Sequence, residues 1–189
     1  SAGVNGTALA KKHNIAQSTT NYDLVLNDKD IDLIMITTRH NLHADMVIKA
    51  LDKGKHVFVE KPLALNLEEL RAIEKSYNKS TGTLMIGFNR RFSQHIQKIK
   101  SLVGSSPMNI VTTMNAGPIP NKVWVHDMKI GGGRIIGEAC HHLDLIVFLT
   151  GSKINSVCIN ALGKNPIENT DNVSILVKME NGSTGVVNY

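Results

Sequence analysis

The stretch IDLIMITTRHNLHADMVIKALDKGKHVFVEKPL, from Ile31 to Leu63, decides the fold. It opens on a short, nearly continuous apolar run, Ile31 to Thr37. Such a run suits a strand buried on both faces of a sheet. Leu42, Met46, Val47, Ala50 and Leu51 then recur at helical spacing, and Gly54 follows as a helix stop. His56-Val57-Phe58-Val59 reads as a second buried strand. Strand, helix and strand in this order make the βαβ unit of a parallel sheet.

Working outward, Thr7 to His13 has a helical pattern. Asn66, with Glu69 three residues later, predicts a capped helix over 67–78. Leu84 to Phe88 reads as a third strand. The rhythm changes after about residue 88, with a helix over Ser93 to Val103 and a strand over Asn109 to Met114. A loop with Pro118, Pro120 and Trp124 leads to Gly131-Gly132-Gly133. The next helix carries Leu143, Leu145, Ile146, Phe148 and Leu149 and ends at Gly151. Strand patterns follow over Val157–Asn160, Val173–Met179 and Thr184–Tyr189, and Asn181-Gly182 marks a hairpin. The predicted class is therefore α/β: a parallel sheet over 1–88, then an α+β domain over 89–189 with an open, mainly antiparallel sheet.

Composition sets the outer bounds. The 189 residues are 42% apolar and 20% charged, which excludes collagen-like, low-complexity and disordered chains. Apolar runs such as Leu145 to Leu149 are far too short for a membrane span. The net charge is +5, and the densest basic run, Asn89 to Lys100, alternates with apolar residues as a solvated helix face does. No nucleic-acid partner is expected, while an anionic ligand such as a nucleotide or acidic sugar suits this charge. Cys140 and Cys158 form no CxxC pair, so a reducing cytoplasm is the default location. The chain lacks an initiator Met and a signal-like start, and its last residues lie within a strand pattern, so both ends read as cut.

Three segments carry possible chemistry. Val59-Glu60-Lys61-Pro62 ends a buried strand, where open α/β sheets bind ligands. Lys61 there is either a desolvated acid or base or a surface lysine beside a loop proline. Thr37-Thr38-Arg39-His40-Asn41-Leu42-His43 joins a strand to a helix and suits either a phosphate or ribose site or an ordinary capped turn. His40 and His43 have metal-ligand spacing, but no neighbouring Cys or carboxylate pair completes a site, so no metal is expected. In Gly131 to Asp144, Glu138 and His141 lie about one helical turn apart, as do His141 and Asp144. That pattern serves proton transfer or structural hydrogen bonding. No G-x-G-x-x-G occurs, and Cys140 has no activating context.

Taken together and in this order, these motifs resemble the Gfo/Idh/MocA family of NAD(P)-dependent oxidoreductases. The likeness rests on the Thr37–His43 turn, Gly54 to Leu63, Asn89-Arg90-Arg91-Phe92, and Gly131 to Asp144 with Leu149-Thr150-Gly151. It covers essentially the whole chain. The resemblance implies an incomplete Rossmann-like domain, without its glycine-rich loop, followed by an incomplete substrate and oligomerisation domain. It implies NAD or NADP as cofactor, a sugar, inositol or nucleotide-sugar as substrate, and a homo-oligomer built through the C-terminal sheet. Lys61 and His141 are implied as catalytic residues. Thr37, Thr38, Asn41, His43, Glu60 and Pro62 are implied on the cofactor side. Asn89, Arg90, Trp124, His126 and Glu138 are implied around the substrate. Other readings of the same scaffold are NAD-dependent glycoside cleavage, a non-catalytic sugar or nucleotide sensor, and an inactive piece of such an enzyme. Many members place Asp four residues before the histidine; here that position is Gly137, with Glu138 next along.

Overall fold

The computed structural model describes residues 3–164 and 171–189. After helices α1 (Gly3–Lys12) and α2 (Tyr22–Asn27), strand β1 (Leu33–Ile36) leads through a 3-10 turn, His40–Leu42, into α3 (His43–Asp52). Strand β2 (His56–Val59), helix α4 (Leu67–Tyr77) and strand β3 (Leu84–Ile86) follow. The three strands form a parallel sheet in the order β1-β2-β3. Ile36 pairs with Val59, and Val59 with Ile86, so the three strands end in line. The turns that leave them therefore share one edge of the sheet.

Local chemistry sets these elements. Asn66 caps α4 by accepting from the Glu69 N–H at 2.9 Å, while the Glu69 carboxylate accepts from Leu65 N–H at 2.8 Å. Ile34, Ile36, Val57 and Val59 are buried in one cluster with Val47, Ala50 and Leu51 of α3 and Ile73 of α4. The strands were expected to be buried on both faces. Instead Leu33 is 53% exposed and Met35 64%, because α3 and α4 pack against the other set of side chains. Helix α2 was not read from the sequence, since its six residues are too short to show a period. Its start is nonetheless signalled by Asn21, which accepts from Asp23 N–H, and Leu26 joins the core.

In the second half, α5 (Gln94–Leu102) and β4 (Asn109–Thr113) precede a π-helical turn, Ile135–Ala139, that runs directly into α6 (Cys140–Thr150). Strands β5 (Ile154–Ala161), β6 (Val173–Met179) and β7 (Thr184–Asn188) complete a sheet ordered β4-β7-β6-β5. β5–β6 and β6–β7 are antiparallel, while β4 pairs parallel with β7. Gly151 ends α6 in the left-handed region, φ 62°, where a side chain is strained. Ile146 of α6 is fully buried in a cluster with Val177 and Val187 of the sheet. The opposite sheet face carries one row across four strands: Val111 opposite Val186, Val186 opposite Leu176, and Leu176 opposite Cys158. Val111 is 62% exposed and Leu176 50%. The next row, Thr113, Asn188, Ser174 and Asn160, is polar. No helix among the described residues is long and apolar enough to cross a membrane.

Candidate active site

The shared strand edge gathers the predicted residues. Thr37 and Thr38 follow β1, Glu60 and Lys61 follow β2, and Asn89 and Arg90 lie in a 3-10 turn, Asn89–Phe92, after β3. The π-helical turn of the second half lies against this edge. Lys61 Nζ donates to the Gly137 carbonyl at 2.7 Å and to Glu138 Oε1 at 2.6 Å. Two residues some 77 positions apart thus meet in an ion pair, with the lysine side chain only 15% exposed. Burial by itself would raise the Glu138 carboxyl. The hydrogen bond and charge of Lys61, with His141 and Arg90, hold it below its ordinary value instead.

His141 lies in the first turn of α6 and is 6% exposed. Its Nδ1 is buried with no hydrogen-bond partner among the described residues. Burial first, then the charges of Lys61 and Arg90, lower its pKa to about 4, so the imidazole is neutral at pH 7. A neutral imidazole has one nitrogen able to accept a proton. Phe88 meets the ring edge-on at 6.2 Å. Cys140, between Ala139 and His141, is not a nucleophile in waiting: burial pushes its thiol up to about 11.

The remaining predicted residues are arranged around this pair. Arg90 Nη1 donates to His142 Nε2 at 3.1 Å and its Nη2 lies 3.9 Å from Glu138 Oε2. Asn89 is exposed on the same turn. Trp124 meets the His40 ring edge-on at 4.8 Å and stacks under the Arg39 guanidinium at 5.6 Å. His126, two residues on, has a buried Nε2 without a partner among the described residues. The Glu60 carboxylate lies over Gly87, where an added Cβ would stand 3.1 Å from it. Asn41 is exposed, and its backbone N–H reaches the Ile130 carbonyl at 3.1 Å.

His43 is placed differently from an open cofactor contact. It is fully buried, with Nδ1 2.8 Å from the Pro62 carbonyl and Nε2 3.1 Å from the Thr38 carbonyl. The ring braces the turns after β1 and β2 from behind, so it orients Thr38 and Pro62. Sequence reasoning missed two features. Arg91 holds the Asp144 carboxylate through both Nε and Nη2, tying the turn after β3 to α6. His40 stands directly over Gly137, its Cε1 3.2 Å from where a Cβ would be. The first was signalled by an acidic residue on the apolar side of a helix, which needs a cation when buried. Among the described residues, no group of three or more His, Cys, Asp or Glu is placed to hold a metal ion.

Residues 4–88 match the family described as "Oxidoreductase family, NAD-binding Rossmann fold", and residues 107–189 match the "GFO/IDH/MocA C-terminal domain". The chain belongs to the Gfo/Idh/MocA family. Among its relatives is "Uncharacterized oxidoreductase YrbE" of Bacillus subtilis, 31% identical over 94% of this chain and 54% of that protein. Another is "scyllo-inositol 2-dehydrogenase (NAD(+))" of the same species, 33% identical over 70% of this chain and 39% of that one. Among solved structures, "Levoglucosan dehydrogenase, complex with NADH and levoglucosan" superposes with a TM-score of 0.83 at 25% identity, over 98% of this chain and 55% of that one. The chain spans about half the length of the curated relatives it matches. The family model describes oxidoreductases with an NAD-binding Rossmann fold, and the parallel sheet with its shared strand edge is the Rossmann-like part of that architecture.

Proposed function

We propose that this chain forms the catalytic core of a dehydrogenase that moves a hydride between NAD(P) and a hydroxyl-bearing carbon of a sugar, inositol or nucleotide-sugar. The observation that carries the reading is Lys61, held by Gly137 and Glu138 beside the neutral, half-unpartnered His141. Two features support a bound cofactor and substrate at this edge. The turns after β1, β2 and β3 share the carboxyl edge of a parallel sheet, the edge at which open α/β sheets bind ligands. The orphaned Nδ1 of buried His141 leaves a polar group open to a substrate hydroxyl next to that edge.

When bound, the cofactor supplies the hydride acceptor or donor. Thr37, Thr38, Asn41, Glu60 and Pro62 form the walls of its side of the crevice, with His43 bracing the turns behind them. Lys61 directs its ammonium at the substrate oxygen and stabilises the charge that grows there as the O–H bond breaks. His141 takes that proton, while the carbon loses hydride and becomes a carbonyl. The ring is unprotonated at pH 7, which leaves one nitrogen with a lone pair for that proton. General acid–base help of this kind is worth roughly 10²–10⁴-fold. Asn89, Arg90, Trp124 and His126 surround the substrate, and Glu138 holds Lys61 in place. The exposed apolar row of the second sheet supports self-association through that face, the row Val111, Val186, Leu176 and Cys158 forming its centre.

The test is a Lys61→Ala protein beside Glu138→Gln. Lys61→Ala is expected to abolish NAD-dependent oxidation of polyols while NADH binding, read by fluorescence, stays within about threefold of the parent. Glu138→Gln keeps a hydrogen-bond acceptor for Lys61 but removes the charge, and is expected to slow turnover without abolishing it. Undiminished turnover by Lys61→Ala would sink the assignment.

A further inference from the structure

His40 has one nitrogen committed, and its other nitrogen has no hydrogen-bond partner among the described residues. Its Nδ1 lies 2.8 Å from the Gly131 carbonyl. A carbonyl only accepts, so Nδ1 carries the hydrogen and Nε2 presents a lone pair. Trp124 fixes the ring from a second side. The ring also fills the space that a side chain at position 137 would need: an added Cβ would lie 3.2 Å from Cε1 and 3.8 Å from Nδ1. A side chain at 137 would therefore crowd the His40 ring, which would have to give by a few tenths of an ångström.

The two residues line one cavity of about 240 Å³ together with Glu138, Arg134 and Tyr189. That volume is below the roughly 300–1,000 Å³ of pockets for drug-sized ligands, so it suits one small ring. Glu138 is also the residue that pairs with Lys61, so the cavity adjoins the proposed reaction centre.

We propose that His40 is a specificity-determining residue of this cavity, its Nε2 accepting a hydrogen bond from a hydroxyl of the bound polyol, and that glycine at position 137 leaves the His40 ring uncrowded in that orientation. The inference deepens the dehydrogenase reading and rests on it for the identity of the ligand. Burial lowers the His40 pKa, against the raising effect of the Gly131 carbonyl, which keeps Nε2 an acceptor near neutral pH.

A double-mutant cycle tests it, with His40→Ala, Gly137→Ala and the pair, each assayed with NAD and myo-inositol, scyllo-inositol and levoglucosan. A single neutral hydrogen bond corresponds to about two- to tenfold in affinity. His40→Ala is expected to raise KM by that factor for the preferred polyol with kcat changed less. His40→Gln, which restores an acceptor, is expected to recover much of the loss. Gly137→Ala displaces the ring and is expected to give the same KM defect, and the pair is expected to be no worse than either single change. Unchanged KM in His40→Ala, or additive defects in the pair, overturns the proposal. Thermal melting of the same four proteins separates it from the reading beneath it. If the parent neither binds NADH nor oxidises any of these polyols or a nucleotide-sugar, the dehydrogenase reading fails. The crowding between position 137 and His40 then stands or falls on melting alone: Gly137→Ala must lower the melting temperature beside His40 and not beside Ala.

Discussion

At the scale of single residues, the site is organised by what burial does to titratable groups. His141 is held at a pKa of about 4, against 6.5 for a free imidazole. The unfolded chain therefore binds more protons than the folded one between these values. Stability contributed by the neutral ring is complete above pH 6.5 and is lost as pH falls towards 4. The shift is worth on the order of 3 kcal/mol. His40 and His142 are lowered too, burial being the first cause in each, and they act with the same sign. The melting temperature is thus expected to fall steadily from pH 7 to pH 4.5, and His141→Gln to show a shallower fall. A melting temperature that is flat or rises on acidification over that range contradicts this account of the site.

At the scale of elements, α6 and the second sheet meet where a strand has no side chain. An added Cβ on Gly185 of β7 would stand 2.7 Å from Ile146 Cδ1 and 2.9 Å from a Val177 methyl. Both neighbours are fully buried and have nowhere to move. Gly185→Ala is expected to destabilise the protein by about 1–3 kcal/mol, as overpacking does, measured by urea unfolding. A change below about 0.5 kcal/mol shows that α6 rides loosely on the sheet. The same contact marks the limit of what the sequence tells. Apolar periodicity placed α3, α4, α6 and the strands, since each repeats its pattern over a whole element. It read α1 as starting at Thr7 rather than Gly3, and β5 as starting at Val157 rather than Ile154. Both are ends, where few contacts constrain the pattern. The π-helical turn Ile135–Ala139 has no periodic signature at all. In an α-helix Gly137 and Glu138 point about 100° apart, which put in doubt whether Glu138 could stand in for the Asp that many family members place at position 137. In the wider π-helical turn Lys61 reaches the carbonyl of one and the carboxylate of the other. Lys61, Glu138 and His141 were thus legible as residue types on nearby elements, while their meeting, and His40 over Gly137, depend on how two halves of the chain pack.

At the scale of the molecule, the two sheets leave different surfaces. The row Val111, Val186, Leu176 and Cys158 is flanked by polar rows, the pattern of an apolar interface centre with a polar rim. In a two-fold assembly this face meets its own copy, so one substitution acts twice. The protein is expected to sediment as a dimer or larger, and Leu176→Glu as a monomer with the fold retained by circular dichroism. A monomeric parent at tens of micromolar removes the self-association proposal.

The strand order has a further consequence, one of timing. β4 is complete at Thr113, but its neighbour β7 begins only at Thr184. A ribosome adding about 5–20 residues each second therefore exposes β4 for several seconds before its partner exists. β1 and β2, by contrast, are joined through one short helix and can pair almost as soon as they emerge. The first sheet is free to form early on the nascent chain. The second waits for β7, with Ile110 of β4 still without its packing partners meanwhile.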